Sequence, residues 1–367
     1  MRKQLSKLVS MQFVAARRAL PALGLLTLGL WAQLPAHAQV LEQPPATETE
    51  PAAPTAAVCP PTAQMPAPAK LRRMAQKGRD HGLLWRVDYQ GRTAWLYGTL
   101  HVARLAWAFP GPTVVAALRS ADSLALELNL LDPAQLQALQ DGLRANPDAE
   151  PLPEALATRL AAQVQAACVP AATMQAMRPD AQVMTLLTLS GRMQGLDPAY
   201  GIDMSLAGAA KAMGKPVWAL ETPALQLREL ISDDPTEIQD NVRSSLEQLE
   251  SGEAAKATGT LAQAWADGRA QLLESYPQWC QCIHTEKERA DYARLVDGRN
   301  PAMAQQIAAQ LREGKAPFVA VGALHMVGPQ GLPALLAAQG FAVQRVQPAA
   351  DVPEPASRSS KNKASTQ

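Results

Sequence analysis

The sequence lacks the motifs by which common enzyme classes are recognised. Its 367 residues contain no His-Glu-x-x-His helix, no Gly-x-Ser-x-Gly turn, no phosphate-binding glycine-rich loop and no Gly-x-Gly-x-x-Gly after a strand. An excess of charge of one sign is also missing, because the formal net charge is only +1 at pH 7. A near-neutral chain indicates no polyanionic partner, so nucleic-acid binding is not expected.

Long hydrophobic runs are limited to the start of the chain. Basic residues precede an apolar run from Leu20 to Leu34, and small residues follow at Ala36 to Ala38. The run is shorter than the ~20 residues of a membrane span, and the absence of a cysteine just after it argues against a lipoprotein. We expect residues 1–38 to be a cleaved signal peptide, with an uncleaved anchor as the alternative. The mature protein would then be exported to the periplasm of a Gram-negative bacterium, with no stable membrane span.

Cysteine is scarce but even in number. The four cysteines are Cys59, Cys168, Cys280 and Cys282, and in an oxidising compartment disulfides are expected over free thiols. Four cysteines allow three pairings, and the sequence does not choose among them. Cys280 and Cys282 could pair only in a strained small ring, and a metal site there lacks a second cysteine pair nearby.

The composition separates a folded part from two flanking segments. Residues 39–78 are rich in proline and alanine and predict a disordered linker, and residues 348–367 predict a disordered tail. Residues 79–347 are long enough for one large α/β domain. Within it we expect a helical insertion at about 132–195 and a second helical region at about 223–314.

Short apolar runs in the folded part predict a mixed, mainly parallel central sheet. "GLLWRVDY" and "TAWLYG", separated by "QGR", predict an N-terminal β-hairpin. Four further runs alternate with helices, and strands joined by helices pair in parallel: "SLALELN", "PVWAL", "FVAVG" and "FAVQRV". The predicted fold class is therefore α/β, with the large helical insertion packed over the sheet.

Two of the five histidines follow a predicted strand in the same pattern, Gly-x-x-His. His101 ends "AWLYGTLH", and His325 ends "FVAVGALH". Gly98 and Gly322 let the backbone turn sharply or approach a bound group closely. Ligands of such sheets bind beyond the carboxyl ends of the strands, so we expect both imidazoles at one edge. A single histidine there would be an ordinary surface or core residue, but two in the same setting indicate a site.

Carboxylates also occur near the ends of predicted strands. In "SLALELN" the leucines share one face, so Glu127 should lie on the opposite face of a strand covered on both sides. A charge there needs a metal, several donors or a salt bridge to an arginine. Glu221, in "PVWALET", reads equally as a second such carboxylate or as a charge at a helix N-terminus. Asp203 reads first as a helix N-cap.

Two histidines and one carboxylate from separate strands make a sufficient ligand set for a zinc, manganese, cobalt or iron ion. The expected metal ligands are His101, Glu127 and His325. Such an ion would lower the pKa of its bound water and supply hydroxide for hydrolysis. Without a metal, the same groups could act as an acid/base pair while Arg299 holds an anionic intermediate.

These stretches resemble the TraB/PrgY/GumN family, which includes the Tiki proteases and is grouped more distantly with ChaN and erythromycin-esterase-like proteins. The resemblance rests on "WLYGTLHVA", "LALELN", "YGIDMSLAGAAKAMGKPVWALET", "DGRNPAMAQQI" and "FVAVGALHMVGPQGLPALLAAQGFAVQRV". The family's "RN" falls on Arg299 and Asn300. The resemblance implies the fold of that group and a metal-dependent hydrolase site built from the two histidines and the glutamate. It implies no particular substrate.

The expected function is therefore that of an exported metal-dependent hydrolase, first of all a peptidase, acting on a peptide or small molecule. The candidate catalytic residues are Glu127, Arg299 and Glu221, with Arg299 steadying the substrate or intermediate and Glu221 orienting a ligand or acting as a base. Two alternatives stay open. One is a periplasmic protein that sequesters a peptide or haem without turnover, and the other is an accessory factor for the envelope or for polysaccharide production.

Overall fold

One mixed sheet organises residues 58–347, the part of the chain that the computed structural model describes. The strands are β1 (Leu84–Tyr89), β2 (Arg92–Thr99), β3 (Leu124–Leu126), β4 (Val217–Ala219), β5 (Phe318–Gly322) and β6 (Ala342–Val346). Their order across the sheet is β4-β3-β5-β2-β1-β6. The neighbours from β4 to β2 run parallel, whereas β1 is antiparallel to β2 and β6. The prediction of a mixed, mainly parallel α/β sheet with an N-terminal hairpin is confirmed.

Helices account for most of the remaining described chain. The α-helices are α1 (Pro68–Gln76), α2 (Pro112–Ser120), α3 (Pro133–Gly142), α4 (Glu154–Ala166), α5 (Ala171–Gln175), α6 (Pro179–Leu189), α7 (Ile202–Ala212), α8 (Pro223–Leu230), α9 (Pro235–Glu250), α10 (Glu253–Ala266), α11 (Ala270–Glu274), α12 (Tyr276–Trp279), α13 (Glu286–Tyr292), α14 (Asn300–Arg312) and α15 (Leu332–Ala338). Short 3-10 turns occur at Leu105–Ala108, Arg192–Gln194, Pro198–Tyr200 and Ala323–Met326, and a π-helical turn occurs at Ala293–Asp297.

The hairpin between β1 and β2 has a local cause. Tyr89 pairs with Arg92, so the loop consists of Gln90 and Gly91 alone. Their φ angles are 46° and 76°, and a two-residue turn with both φ angles positive matches the right-handed twist of the strands. The glycine adopts this conformation without steric cost.

The sheet is the centre of the main hydrophobic core. The first four residues of β5, Phe318 to Val321, are all buried, as expected for a parallel strand covered on both faces. Trp265 from α10 is fully buried against this core, and its indole N–H donates to the Gly98 carbonyl oxygen at 2.7 Å. A separate core cluster lies among α4, α6 and α9 and contains Leu160, Leu186 and Leu246. These helices, here called the helical lobe, therefore have an apolar core of their own.

Part of the predicted disordered linker is folded, which corrects that prediction for the end of residues 39–78. Helix α1 forms there, and Leu71 on its inner side is 1 % exposed. A disulfide between Cys59 and Cys168 also ties this segment to the helical lobe. Although proline and alanine dominate the composition, the burial of Leu71 and the Cys59–Cys168 disulfide attach this segment to the rest of the protein. The earlier part of the linker, the predicted signal peptide and the predicted tail lie outside the described residues.

All four cysteines are paired in disulfides. The second bond joins Cys280 to Cys282, and no cysteine is free. Gln281, between them, has a φ of 54°, a left-handed conformation uncommon for a residue with a side chain. Among the helices between residues 58 and 347, none is both long and apolar enough to cross a membrane.

Candidate functional site

Four neighbouring parallel strands end beside one group of polar side chains. In the order of the sheet, Glu221 follows β4, Glu127 follows β3, His325 follows β5 and His101 follows β2. Because the four strands are parallel, their carboxyl ends lie at the same edge, where ligands bind in open α/β sheets. The structure therefore places all four sequence-predicted side chains along one edge.

Glu127 lies just beyond β3, not on a face within it, since that strand ends at Leu126. The side chain is nevertheless buried, with the residue 9 % exposed. Its Oε1 accepts from the Gly322 N–H at 2.7 Å. Its Oε2 accepts from Arg299 Nη2 at 2.7 Å and from Gln226 Nε2 at 3.3 Å. The salt bridge to an arginine, one of the alternatives for a charge here, is thus present together with other donors.

Arg299 binds a second carboxylate as well. Its Nε donates to Glu221 Oε1 at 2.8 Å, and its Nη2 also donates to Glu221 Oε2. The remaining Nη1 donates to the Leu295 carbonyl oxygen at 3.1 Å. That carbonyl belongs to the π-helical turn, in which the Gly298 N–H bonds to the Ala293 oxygen at 2.8 Å. Such turns alter the helical hydrogen bonding locally and are frequent at functional sites.

Glu221 contributes its charge to this cluster and does not cap the following helix. The N-cap of α8 is Thr222, whose hydroxyl accepts from the Leu225 N–H at 3.2 Å. Glu221 is 6 % exposed, and its own N–H donates to the Glu127 carbonyl oxygen at 3.0 Å. This backbone bond extends the pairing of β3 with β4 past their ends. The two carboxylates are therefore held side by side.

The surroundings of Glu127 favour its charged form. Burial by itself raises the pKa of Glu127, but positively charged neighbours, among them His101 and Arg299, and the Gly322 N–H outweigh it and lower that pKa. One guanidinium, that of Arg299, is shared by the carboxylates of Glu127 and Glu221. Two buried carboxylates that share one guanidinium can attract a further cation at this edge of the sheet.

His325 is buried and fixed by an asparagine. The residue is 4 % exposed, and its Nδ1 lies 2.7 Å from Asn300 Oδ1. Asn300 Nδ2 donates to the Gln330 carbonyl oxygen at 2.8 Å, so the asparagine oxygen faces the histidine and can only accept. The proton of a neutral His325 is therefore on Nδ1, and Nε2 carries the lone pair. Burial, the largest cause, lowers the pKa of His325, which favours this neutral form.

His101 is bound to a carboxylate at the surface. Its Nδ1 lies 3.2 Å from Asp203 Oδ2, and 66 % of its side chain is exposed. Asp203 is not the N-cap of α7, as its sequence context first suggests. Gly201 is the N-cap, and Asp203 lies in the first turn. The Ile202 N–H donates to the Leu100 oxygen at 2.9 Å, and this bond brings the start of α7 alongside the histidine loop.

Glycines allow these close approaches. A Cβ at Gly98 would lie 3.1 Å from Ala323 Cα, so β2 could not pack as closely against the turn that carries His325. A Cβ at Gly201 would lie 2.9 Å from the His101 carbonyl oxygen. The requirement for glycine in the first Gly-x-x-His is therefore steric, because the two histidine-bearing segments contact each other.

Two buried polar atoms next to His101 have no hydrogen-bond partner among residues 58–347. They are Thr99 Oγ1 and Asp203 Oδ1. Buried polar atoms are normally paired with protein or water. An unpaired hydroxyl and an unpaired carboxylate oxygen beside an exposed imidazole leave capacity for a bound group.

Comparison with known proteins identifies the family. A model described as the TraB/PrgY/gumN family matches residues 83–345, which include the first five strands, all but the last residue of β6 and the four strand ends of the site. The chain belongs to the TraB/PrgY/gumN family. Neither the comparison with curated proteins nor the comparison with solved structures gave a match.

The donor chemistry of this TraB/PrgY/gumN protein suits a divalent cation. Each histidine has its Nδ1 bound to an acceptor, as in metal-ligating histidines whose second nitrogen is fixed by a partner, and the carboxylate of Glu127 lies nearby. However, within residues 58–347 no three His, Cys, Asp or Glu side chains are arranged so that they could hold a metal ion. A three-ligand site in the TraB/PrgY/gumN protein would require movement, and His101 is exposed enough to move.

Two members of the cluster were not foreseen as contributors to the site. Gln226 donates to both Glu127 and Glu221, but nothing in the sequence separates it from other glutamines on a predicted helix. Asn300 had a signal, since it directly follows Arg299 in the stretch that resembles the family. Its role, to fix one nitrogen of His325, depends on a tertiary contact.

Replacing Asp203 with asparagine is expected to lower the pKa of His101. The charge of Asp203 is the largest cause that raises this pKa to about 9. Because folding raises the pKa of His101 above the ordinary value of about 6.5, the charged imidazole stabilises the folded protein at pH values below about 6.5. This stabilisation is lost as the pH rises through about 9. NMR titration of the His101 ring in Asp203→Asn should show a pKa closer to 6.5. His284, which is exposed and distant in sequence, is the internal control, and an unchanged His101 pKa would contradict the assignment.

Proposed function

We propose that this protein is an exported, metal-dependent hydrolase, with peptides as the first substrates to test. The observation that carries the proposal is the state of His325. Its Nδ1 is bound to Asn300 Oδ1, so Nε2 retains its lone pair in a buried position beside two carboxylates. A buried neutral imidazole at the carboxyl edge of a parallel sheet is suited to bind a cation or to accept a proton.

His101, His325 and Glu127 are the side chains that would hold the ion. The two imidazoles offer nitrogen ligands and Glu127 offers an oxygen, a set that suits zinc, manganese or cobalt. A bound ion of this kind lowers the pKa of a coordinated water and thereby supplies hydroxide near neutral pH. Asp203 and Asn300 would keep the imidazole rings oriented, because each is bound to an Nδ1 atom.

Arg299 and Glu221 have supporting roles in this proposal. Arg299 donates to both carboxylates and so holds Glu127 in place as a ligand or base. The Arg299 side chain is only 13 % exposed. Its Nε and Nη2 donate to the carboxylates and its Nη1 donates to the Leu295 oxygen, so one N–H of Nη1 is left for contact with a substrate. Glu221 fixes Arg299 through two hydrogen bonds and would act on the reaction through that residue.

Export to the periplasm is part of the same proposal. The pattern of residues 1–38 supports it, as do the two disulfides, which persist in oxidising compartments. The expected mature N-terminus is Gln39, and N-terminal sequencing of protein recovered from a periplasmic fraction would test this. An N-terminus that retains the apolar run would contradict cleavage.

Metal content and peptide cleavage test the proposed chemistry. The full chain, His325→Ala, His101→Ala and the control His284→Ala would be stripped of metal and reloaded separately with zinc, manganese and cobalt. We expect the wild type and His284→Ala to bind the ion and to cleave members of a peptide library. We expect His325→Ala to lose both properties.

Two results would overturn this function. Equal metal content in the wild type and in both site variants would remove the role of the histidines as ligands. Tight peptide binding without cleavage under any of the three metals would favour the alternative in which the protein sequesters its ligand.

A further inference from the structure

A groove of about 1260 Å³ lies among α6, α8, α9 and α13. Its lining does not include the charged cluster itself but adjoins it at two points. Leu227 follows Gln226, which donates to Glu127, and Leu295 is the residue whose carbonyl accepts from Arg299. The volume exceeds the ~300–1,000 Å³ of pockets that enclose small molecules. An extended chain segment matches a groove of this size better than a compact metabolite does.

Apolar side chains supply part of the lining. Met184 and Leu187 come from successive turns of α6, and Leu227 comes from α8. A ligand that covers this surface needs apolar groups of its own to gain from burial. Unsubstituted sugars offer fewer such groups than a peptide with aliphatic side chains.

The charges of the lining are unequal. All four basic side chains in it are paired with acidic neighbours in the same lining: Arg178 with Asp180 and Asp233, Arg228 with Glu229, Lys287 with Asp291, and Arg294 with Glu229 and Asp291. Each basic side chain of the groove therefore already has a negatively charged partner.

Asp240 pairs with Arg243, which lies outside the lining, and two further acidic side chains of the lining form no ion pair with a lysine or arginine of the described residues. Glu237 accepts from the Ser232 hydroxyl at 2.6 Å, and Glu288 accepts from the backbone N–H groups of His284 and Thr285. Within residues 58–347, neither forms a salt bridge with a lysine or arginine. These carboxylates lie on α9 and α13, whereas the apolar side chains of the lining named above lie on α6 and α8. Glu288 is committed to capping its own helix, with further contact from the Ser244 hydroxyl. Glu237 is exposed, so its negative charge remains available to a cationic ligand.

We propose that this groove binds an extended basic peptide segment. A lysine or arginine side chain of the ligand pairs with Glu237, while its aliphatic side chains cover Met184, Leu187 and Leu227. The proposal rests on the proposed function, because it names the substrate class that the neighbouring site would cleave. An anionic polymer, such as a uronic-acid polysaccharide, is disfavoured because the groove repels it.

Peptide binding to the full chain tests the assignment. The probes are a fluorescein-labelled octapeptide of alternating lysine and leucine, the same peptide with glutamate for lysine, and a labelled oligogalacturonate. Binding is followed by fluorescence anisotropy at low salt, and mass spectrometry checks that each probe stays intact. The variants are Glu237→Gln and Glu237→Lys. Glu247→Gln is the matched control, since it is an exposed glutamate on the same helix outside the groove.

We expect the basic probe to bind more tightly than the other two. Glu237→Gln should weaken its binding about three- to fivefold, and Glu237→Lys about tenfold, because one ion pair is lost and then replaced by repulsion. Glu247→Gln should leave the dissociation constant within about twofold. Circular dichroism of each variant checks that the fold is retained.

Several outcomes would overturn the assignment. The basic and acidic probes could bind equally, the oligogalacturonate could bind most tightly, or Glu237→Lys could bind the basic probe as the wild type does. Failure of the proposed function would look different. Binding of the basic probe that depends on Glu237, without cleavage under any metal, would keep the groove assignment and remove the hydrolase. Cleavage that does not depend on Glu237 would do the reverse.

Discussion

Replacing Arg299 with methionine is expected to lower the free energy of unfolding by about 3–5 kcal/mol. The side chain is 13 % exposed and, among residues 58–347, is the one arginine or lysine that bridges Glu127 and Glu221, whose side chains are 11 % and 2 % exposed. Methionine fills a similar space but leaves both buried carboxylates without a cation. Urea unfolding at neutral pH measures the loss, and peptide cleavage should fall with it.

The control for this substitution is Arg294→Met. Arg294 also pairs with two carboxylates, but its side chain is 45 % exposed, so its loss should cost less than about 1 kcal/mol. Adding Glu221→Gln to Arg299→Met should recover part of the stability, because it removes one of the two unpaired charges. If Arg299→Met and Arg294→Met proved equally mild, burial of the charged cluster in solution would be refuted.

Replacing Asn300 with leucine is expected to cost about 2–4 kcal/mol of unfolding free energy. Asn300 is fully buried, accepts from His325 Nδ1 and donates to the Gln330 carbonyl oxygen. Leucine has nearly the same size but leaves the buried His325 Nδ1 and the Gln330 carbonyl oxygen without this hydrogen-bond partner. The substitution should also release the histidine tautomer, which nitrogen-15 chemical shifts of the His325 ring would report.

Gln305→Leu is the matched control for Asn300→Leu. Gln305 is exposed and lies on the same helix, α14, so the same kind of change should alter stability by less than about 0.5 kcal/mol. Asn300→Asp offers a second check on His325. A carboxylate beside Nδ1 favours the charged imidazole, so the pKa of His325 should rise relative to the wild type. A His325 tautomer unchanged in Asn300→Leu would contradict the role assigned to the asparagine.

The sheet could be predicted because its signals are local. The hairpin follows from two apolar runs separated by a turn that contains glycine, and β5 follows from an apolar run between helices. The edge of the sheet at which His101 and His325 lie follows as well, since the carboxyl ends of parallel strands coincide. The end of β3 was less predictable, because strand boundaries depend on which backbone groups find partners. The hydrophobic pattern predicts a strand that includes Glu127, whereas the observed strand ends one residue earlier, at Leu126.

Pairings across the fold could not be predicted in the same way. Arg299 is 172 residues from Glu127 and 78 residues from Glu221, and many arginines in the chain could satisfy a buried carboxylate. Asp203 illustrates the same limit, because its sequence context fits an N-cap, whereas its carboxylate contacts His101. In the predicted linker, the composition predicts disorder where the structure has a helix. Helix α1 forms there because Leu71 is buried in the protein interior.

Short segments of the sequence are enough to predict the family, the mixed α/β sheet and the residues at the strand ends, because hydrophobic pattern, turn residues and the two Gly-x-x-His motifs are local properties. How these residues are used depends on contacts across the fold. The folded chain places one guanidinium between two carboxylates, fixes one imidazole through Asn300 and the other through Asp203, and forms a groove nearby that contains the exposed carboxylate of Glu237. Charge balance and tautomer depend on partners far away in the chain, and those partners meet only when the sheet and the helices pack together.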